Sequence, residues 1–498
     1  MDKLFFKVWR NIFINRIIFR FIRFFKNYDT VAIDRVEDIR DFPYIEYYKT
    51  VIYDGTGEFI SGEDFPKSLH SISILYDKYK CEQPIESQLS NGLKKFTYPR
   101  YNNKITRLLL FPTSVETVIN ATFIRGDRYE QNESDDLPPE RKVIIPNNIK
   151  SLSIFRCPNH NLSKWLSIPT SLTSLDLGPY WYNGNTELKA NDLPNHIKHL
   201  SLHLMKLLLI FKSDCLPNQL ESLTLTTSEK YFNDENEIVF QLNSLPLTLK
   251  KLDISHLIPK FILPINSFEN LTWLSLNYSN KKQTSLTRDM FPPNLSTLIL
   301  IVSKIIVQPN VLPNSITYLK LVDYDWNFEN IYKFQDLNFF PSSLNKLILN
   351  CKIHRSIQHI NLPNTIENLK LGIRFNKSIT IQSITIPTSI KKLTINCNKI
   401  VENYVFPNSI KYLKFGKYYG FQFNSNYFIP ESVEILVIKS NQSISKGFIP
   451  EKLKVLKLIG DFDKPINFQL PKTIEKLIIG NSFDQSLNET LLPQSITF

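Results

Sequence analysis

Residues 362–371 read Leu-Pro-Asn-Thr-Ile-Glu-Asn-Leu-Lys-Leu. The same frame, apolar–Pro–x–x–apolar–x–x–apolar–x–apolar, starts again at Leu193, Leu216, Leu312 and Leu470. Seventeen of the 29 prolines fall in this register, from Pro66 to Pro493. Two further copies lack the proline, one around Asn91–Phe96 and one with Phe268 in its place. From Pro146 to Pro493 the frame advances 347 residues in 15 steps, a mean near 23.

Proline fixes φ and cannot donate to a ladder, so it marks a corner before a strand. The closing apolar–x–apolar has the period of a strand. One such strand cannot bury its apolar face alone, but successive coils stacked on one another build a continuous core and a long parallel sheet. A repeat near 23 residues leaves ~13–15 for the return path, too few for a long helix and two turns. The expected fold is therefore mainly β: a right-handed, leucine-rich-repeat-like solenoid with its sheet on the concave face. Its return paths should be loops, short second strands and isolated 3₁₀ turns.

Composition agrees. The 498 residues include three alanines (Ala32, Ala121, Ala190), three methionines and 13 glycines. Alanine is the best helix former, so a helical bundle or a doubly wound α/β enzyme is excluded on propensity. The five cysteines are odd in number and form no CxxC, which points to a reducing, cytoplasmic setting without a disulfide framework. Arg10, Arg16, Arg20 and Arg23 break the N-terminal apolar stretch, so it does not read as a secretory signal. No apolar run approaches 18 residues, and none reads as a membrane span.

The unit resembles the FNIP repeat, a relative of the leucine-rich repeat. The Leu-Pro-x-x-Leu-x-x-Leu-x-Leu frame carries the resemblance, with a second half in which a glycine precedes Phe-Asn-x-Pro-Ile. Gly178, Gly372, Gly416 and Gly480 hold the glycine place, with Gly460 one position later. Phe375–Asn376, Phe462–Asp463 and Phe483–Asp484 keep the Phe-Asn half, and Cys81–Ile85 is a degenerate copy. The resemblance covers roughly residues 45–498 and implies a solenoid used for binding.

Three segments are expected: a basic aromatic helical arm at 1–28, a divergent start at 29–140 with a hairpin or first coil at Tyr44–Ile60, and regular coils at 141–498. Three long steps carry polar excursions, Arg125–Lys142, Ser228–Glu237 and Asp323–Asn338. The arm holds seven basic residues against Asp2, a net +6 of the chain's formal +12. It has three readings: a cap on the first coil, a segment that lies on an anionic membrane or a partner, and an F-box-like helix of a ubiquitin-ligase adaptor. It lacks the opening Leu-Pro-x-Glu of an F-box.

No nucleophile–base–acid set and no phosphate loop is present, so the chain reads as non-enzymatic, without metal or cofactor. His196, His199 and His203 have metal-like spacing, but on a strand His199 and His203 stand ~13 Å apart, too far to share a zinc. Asp54-Gly55-Thr56-Gly57 reads as a tight turn.

The clearest functional signal comes from numbering each coil from its proline. Positions +3, +6 and +8 point inward, and +5, +7 and +9 project from the open face. From Pro313 to Pro471 eight consecutive coils each place one lysine there: Lys320, Lys346, Lys370, Lys392, Lys414, Lys439, Lys457 and Lys476. Trp273, Tyr318 and Tyr412 occupy the +5 column. At ~4.8 Å per coil this is a ladder ~35–40 Å long. It is read as a partner-binding surface for an acidic protein segment, against the plainer alternative that lysines keep a solvated sheet from aggregating. Nucleic-acid binding is the other reading of the high pI, near 9.1, but arginine and aromatic residues on the face are few. The last copy, Leu492–Phe498, stops in mid-strand, so self-association through that edge is a further expectation.

Overall fold

The computed structural model describes residues 30–33, 48–53, 65–75, 86, 89–99, 108–122, 143–156, 162, 166–178, 190, 192–204, 210–212, 214–227, 237–240, 244–255, 258–261, 267–278, 284–302, 305–307, 310–322, 339–350, 352–353, 360–372, 374–375, 384–396, 405–416, 429–487, 489–493 and 495. The arm at 1–28 lies outside them, as do Cys81–Ile85 and nearly all of the three polar excursions. The fold is the expected solenoid, mainly β, its coils about 23 residues apart.

Two compact units divide the chain, Met1–Leu249 with Lys260–Leu263, and Lys250–Pro259 with Pro264–Phe498. The first holds nine described strands of the repeat: Thr30–Ile33, Thr50–Tyr53, Ser71–Ile74, Lys95–Thr97, Thr117–Thr122, Ser151–Arg156, Ser174–Leu177, His199–Leu204 and Ser222–Thr227. Each pairs with the next in parallel. Within Tyr44–Ile60, expected as a hairpin or first coil, the described strand Thr50–Tyr53 lies parallel between Thr30–Ile33 and Ser71–Ile74.

The second unit holds eleven: Lys251–Ile254, Trp273–Tyr278, Thr297–Val302, Tyr318–Val322, Lys346–Asn350, Asn368–Leu371, Lys392–Ile395, Tyr412–Phe415, Ile435–Ile438, Val455–Leu458 and Lys476–Ile479. These too pair in parallel, coil on coil. On the return path, two-stranded pairs such as Thr284–Leu286 with Ile305–Val307 and Lys352–Ile353 with Arg374–Phe375 alternate with loops. Leu108–Leu110, Arg288–Met290 and Glu489–Leu491 are single 3₁₀ turns.

The core follows the repeat. Positions +3, +6 and +8 of the coil from Pro363 are Ile366, Leu369 and Leu371, each 0% exposed. Fully burying one such side chain stabilises by roughly 1.5–3 kcal/mol. Each coil turns into its strand through one bond: the proline carbonyl accepts from the N–H three residues on, as in Ile366 N–H to Pro363 O at 3.2 Å. The proline-less copies make the same turn, Leu93 N–H to Ser90 O at 3.2 Å and Leu271 N–H to Phe268 O at 3.1 Å. The turn thus belongs to the chain path, and proline pre-sets it.

Two inter-coil devices were not read from the sequence. The residue two places after the corner donates its side chain to the +3 carbonyl of the coil before. Examples are Ser114 Oγ to Leu93 O at 2.7 Å, Thr365 Oγ1 to Leu344 O at 2.8 Å and Ser389 Oγ to Ile366 O at 2.7 Å. Asn148 Nδ2 does the same to Val115 O at 2.6 Å, whereas Asn294 Nδ2, at the same place in its coil, reaches the +1 carbonyl of Glu269 at 2.9 Å. The second device explains the Phe-Asn half. Asn441 Oδ1 accepts from Asp463 N–H at 2.9 Å, and Asp463 Oδ1 from Asp484 N–H at 2.9 Å. The Phe462 and Phe483 rings stack beside them, 6.0 Å apart.

Candidate functional site: the open face of the second unit

Strand alternation decides which residues reach this face. Leu319, Leu347, Leu369, Leu393 and Leu413 are all 0% exposed at +6, so their neighbours at +5 and +7 must point the other way. The parallel register then stacks like position on like position. The +5 column runs Lys251, Trp273, Thr297, Tyr318, Lys346, Asn368, Lys392, Tyr412, Ile435, Val455 and Lys476. From Tyr318–Val322 onward the +7 column runs Lys320, Ile348, Lys370, Thr394, Lys414, Val437, Lys457 and Ile478.

The eight lysines therefore form a checkerboard. Lys346, Lys392 and Lys476 stand at +5, and Lys320, Lys370, Lys414 and Lys457 at +7. Lys439 stands one step further along, at +9. A coil with lysine at +5 has Ile348, Thr394 or Ile478 at +7. No two of these lysines are register partners, which avoids the destabilising apposition of like charges across strands. Lys392 and Lys476 are exposed and the other six half-buried. Of the +7 residues between lysines, Val437 is 2% exposed, Thr394 9% and Ile348 half-buried, as expected where long lysine stems lie over apolar surface with their ammonium groups in water.

The aromatics are tied into this pattern. Lys346 Nζ sits 4.6 Å from the Tyr318 ring centroid and Lys392 Nζ 4.7 Å from that of Tyr412. Lys251 Nζ lies 4.5 Å over Trp273. Each is a cross-strand cation–π pair between register partners. Burial raises the Tyr318 and Tyr412 hydroxyls above the usual tyrosine pKa, so both stay neutral. Lys414 is pushed below the ordinary lysine value, first by burial and then by the charges of Lys439, Lys370, Lys392 and Lys457. Four other predicted site lysines are thus within electrostatic reach of Lys414.

Acidic residues are kept off this patch. On the strands from Tyr318 to Ile479 none stands at +5, +7 or +9. Glu367, Glu434 and Glu475 stand at +4 among other lysines: Glu434 bridges Lys411 and Lys454, each at 3.1 Å, and Glu367 pairs with Lys391. The lysine hydrogen bonds and charges hold the Glu434 carboxyl below its usual pKa. None of the eight ladder lysines forms an ion pair among the described residues. Numbering the sequence from the proline would have revealed this +4 column too.

The first unit's open face is different. Ser153 Oγ donates to Asp176 Oδ2 at 2.8 Å, and His203 Nδ1 is paired with Thr226 Oγ1 at 2.8 Å. His199 and His203 occupy one strand four residues apart.

The fold and its open face define a parallel-strand repeat solenoid. Its later coils are similar to FNIP repeats: the FNIP Repeat family model matches residues 354–398, 375–418, 398–440, 440–482 and 462–498. No curated protein matches the chain. Among solved structures it is similar to CroV588, described as a novel circular LRR protein, at 20% identity and a TM-score of 0.42, covering 95% of this chain and 79% of that one. It is also similar to YopM from Yersinia enterocolitica WA-314, at 14% identity and a TM-score of 0.30, covering 87% and 73%. No described helix is long and apolar enough to cross a membrane.

Proposed function

We propose that the chain is a non-enzymatic, cytoplasmic binding scaffold that holds an acidic segment of a partner protein on the open face of its second unit. The observation that supports this reading is the segregation of charge. On the described strands eight lysines share a face with no acidic residue at +5, +7 or +9, while Glu367 and Glu434 pair with lysines of the +4 column. A merely solvated face has no need to keep its charges of one sign. Burial and then the charges of Lys439, Lys370, Lys392 and Lys457 depress the Lys414 pKa, and an anion on the face would relieve the part due to charge. Five cysteines without a CxxC support the cytoplasmic setting. The ladder supplies lysine and no arginine, which favours an acidic peptide over base-reading nucleic-acid contacts.

The test is titration of a fluorescent, glutamate-rich peptide with the full chain across a salt series. Binding should weaken with salt, mainly through the on-rate. Replacing Lys370, Lys414 and Lys457 with Gln should weaken it about tenfold, with the circular dichroism spectrum unchanged. Equal binding by the triple variant, with the same salt slope, would place the surface elsewhere.

A further inference from the structure

We propose that the +7 column selects its ligand by spacing: an extended segment laid across the coils, with one carboxylate at every third residue. The inference rests on the reading that this face takes an acidic segment, and adds the pattern the segment must carry.

Two observations motivate it. Lysine occupies the +7 column only in alternate coils, at Lys320, Lys370, Lys414 and Lys457, with β-branched Ile348, Thr394 and Val437 between them. In addition, Lys346 and Lys392, the lysines of two of the three intervening coils, already rest on the Tyr318 and Tyr412 rings, and the third, Lys439, stands off the column at +9. The column with uncommitted ammonium groups is therefore the alternating one.

Parallel strands lie ~4.8 Å apart, so lysines two coils apart repeat at ~9.6 Å. A polyproline-II segment advances about 3.1 Å per residue with three residues per turn, returning a side chain to the same face every ~9.3 Å. Over three intervals the mismatch is about 1 Å, well inside the reach of a lysine side chain. A β-strand repeats its face at about 6.7 Å and is out of step at the second lysine. An α-helix returns after seven residues, ~10.5 Å, and drifts nearly three times as far. Carboxylates between the matched positions would meet isoleucine, threonine or valine and gain no cation.

The experiment uses the full chain and four labelled peptides of equal length, rich in proline. Three carry four glutamates each: at every third position, at alternate positions, or in one block. The fourth has glutamine throughout. The every-third peptide should bind about fivefold tighter than the block, and the glutamine peptide not measurably. The double variant K370Q/K414Q should erase that preference, and K346Q/K392Q should keep it. Equal affinity for the three acidic peptides would overturn the spacing and leave the acidic-face reading standing. No binding of any acidic peptide, or binding that K370Q/K414Q leaves untouched, would overturn that reading as well. Tighter binding of a uridine homopolymer than of every peptide would overturn both in favour of nucleic acid.

Discussion

Gly416 shows what one residue does in this repeat. Its N–H donates to Ile395 O at 2.8 Å, as Gly372 N–H does to Leu349 O at 2.6 Å, so the glycine is the last rung between two coils. The Asn396 side chain of the coil before folds over it, and a Cβ there would collide with Asn396 Oδ1. Gly416→Ala should therefore cost roughly 1–3 kcal/mol in urea unfolding. Asn396→Ala in the same chain should restore most of it, because the obstacle is a side chain. At Gly178 the obstacle is the Ile154 carbonyl oxygen, 2.8 Å from the would-be Cβ, and no single substitution should rescue Gly178→Ala. Lys414 gives the electrostatic counterpart. Its pKa is lowered in the folded chain, so between that value and the ordinary 10.5 the unfolded chain holds more protons. Stability should consequently rise with pH as the solution approaches the lysine range. Lys414→Gln should raise stability slightly at pH 7 and flatten that rise, read from chemical unfolding at several pH values.

At the level of the coil, stability comes from bonds to the coil before. The hydroxyl two places after the corner is the clearest case, and it offers an internal control. Ser389 Oγ reaches Ile366 O at 2.7 Å, whereas Ser409, at the same position one coil later, has an Oγ with no hydrogen-bond partner. Ser389→Ala should cost about 0.5–1.5 kcal/mol and Ser409→Ala almost nothing, measured side by side. The proline corner and the inward apolar triad were legible in the sequence because they repeat as residue identities at fixed intervals. The hydroxyl bond was not, because serine, threonine and asparagine all serve and the frame shows only an unspecified x. The Thr50–Tyr53 coil escaped the proline count for a related reason: Tyr48, Val51 and Tyr53 supply the buried triad with Ile45, not a proline, at the corner place in the sequence. The copy at Ser440–Asn441 was hidden because Ser440 replaces the phenylalanine, while Asn441 keeps its bond to Asp463.

Within each unit, each described strand of the sheet pairs with its neighbours in the stack, which is the energetic form of a one-dimensional array. Leu413→Ala, at a site 0% exposed, should cost ~2–5 kcal/mol. By hydrogen exchange the lost protection should centre on Lys392–Ile395 and Ile435–Ile438 and fade toward Trp273–Tyr278 in the same unit. Uniform loss through the unit would show a longer-range cooperative fold. The lysine face was legible as a ladder of eight, yet its alternation was not, since a count of one lysine per coil ignores which column holds it. That alternation bears on ancestry. Losing the coil that carries Lys392 would set Lys370 directly beside Lys414. Losing it together with the coil that carries Lys370 would instead set Lys346 beside Tyr412, recreating the pairing that Lys392 now makes with that ring. Duplications and deletions here should therefore be tolerated in twos, which makes the heritable unit of this region a tandem of about 46 residues, twice the single repeat of about 23.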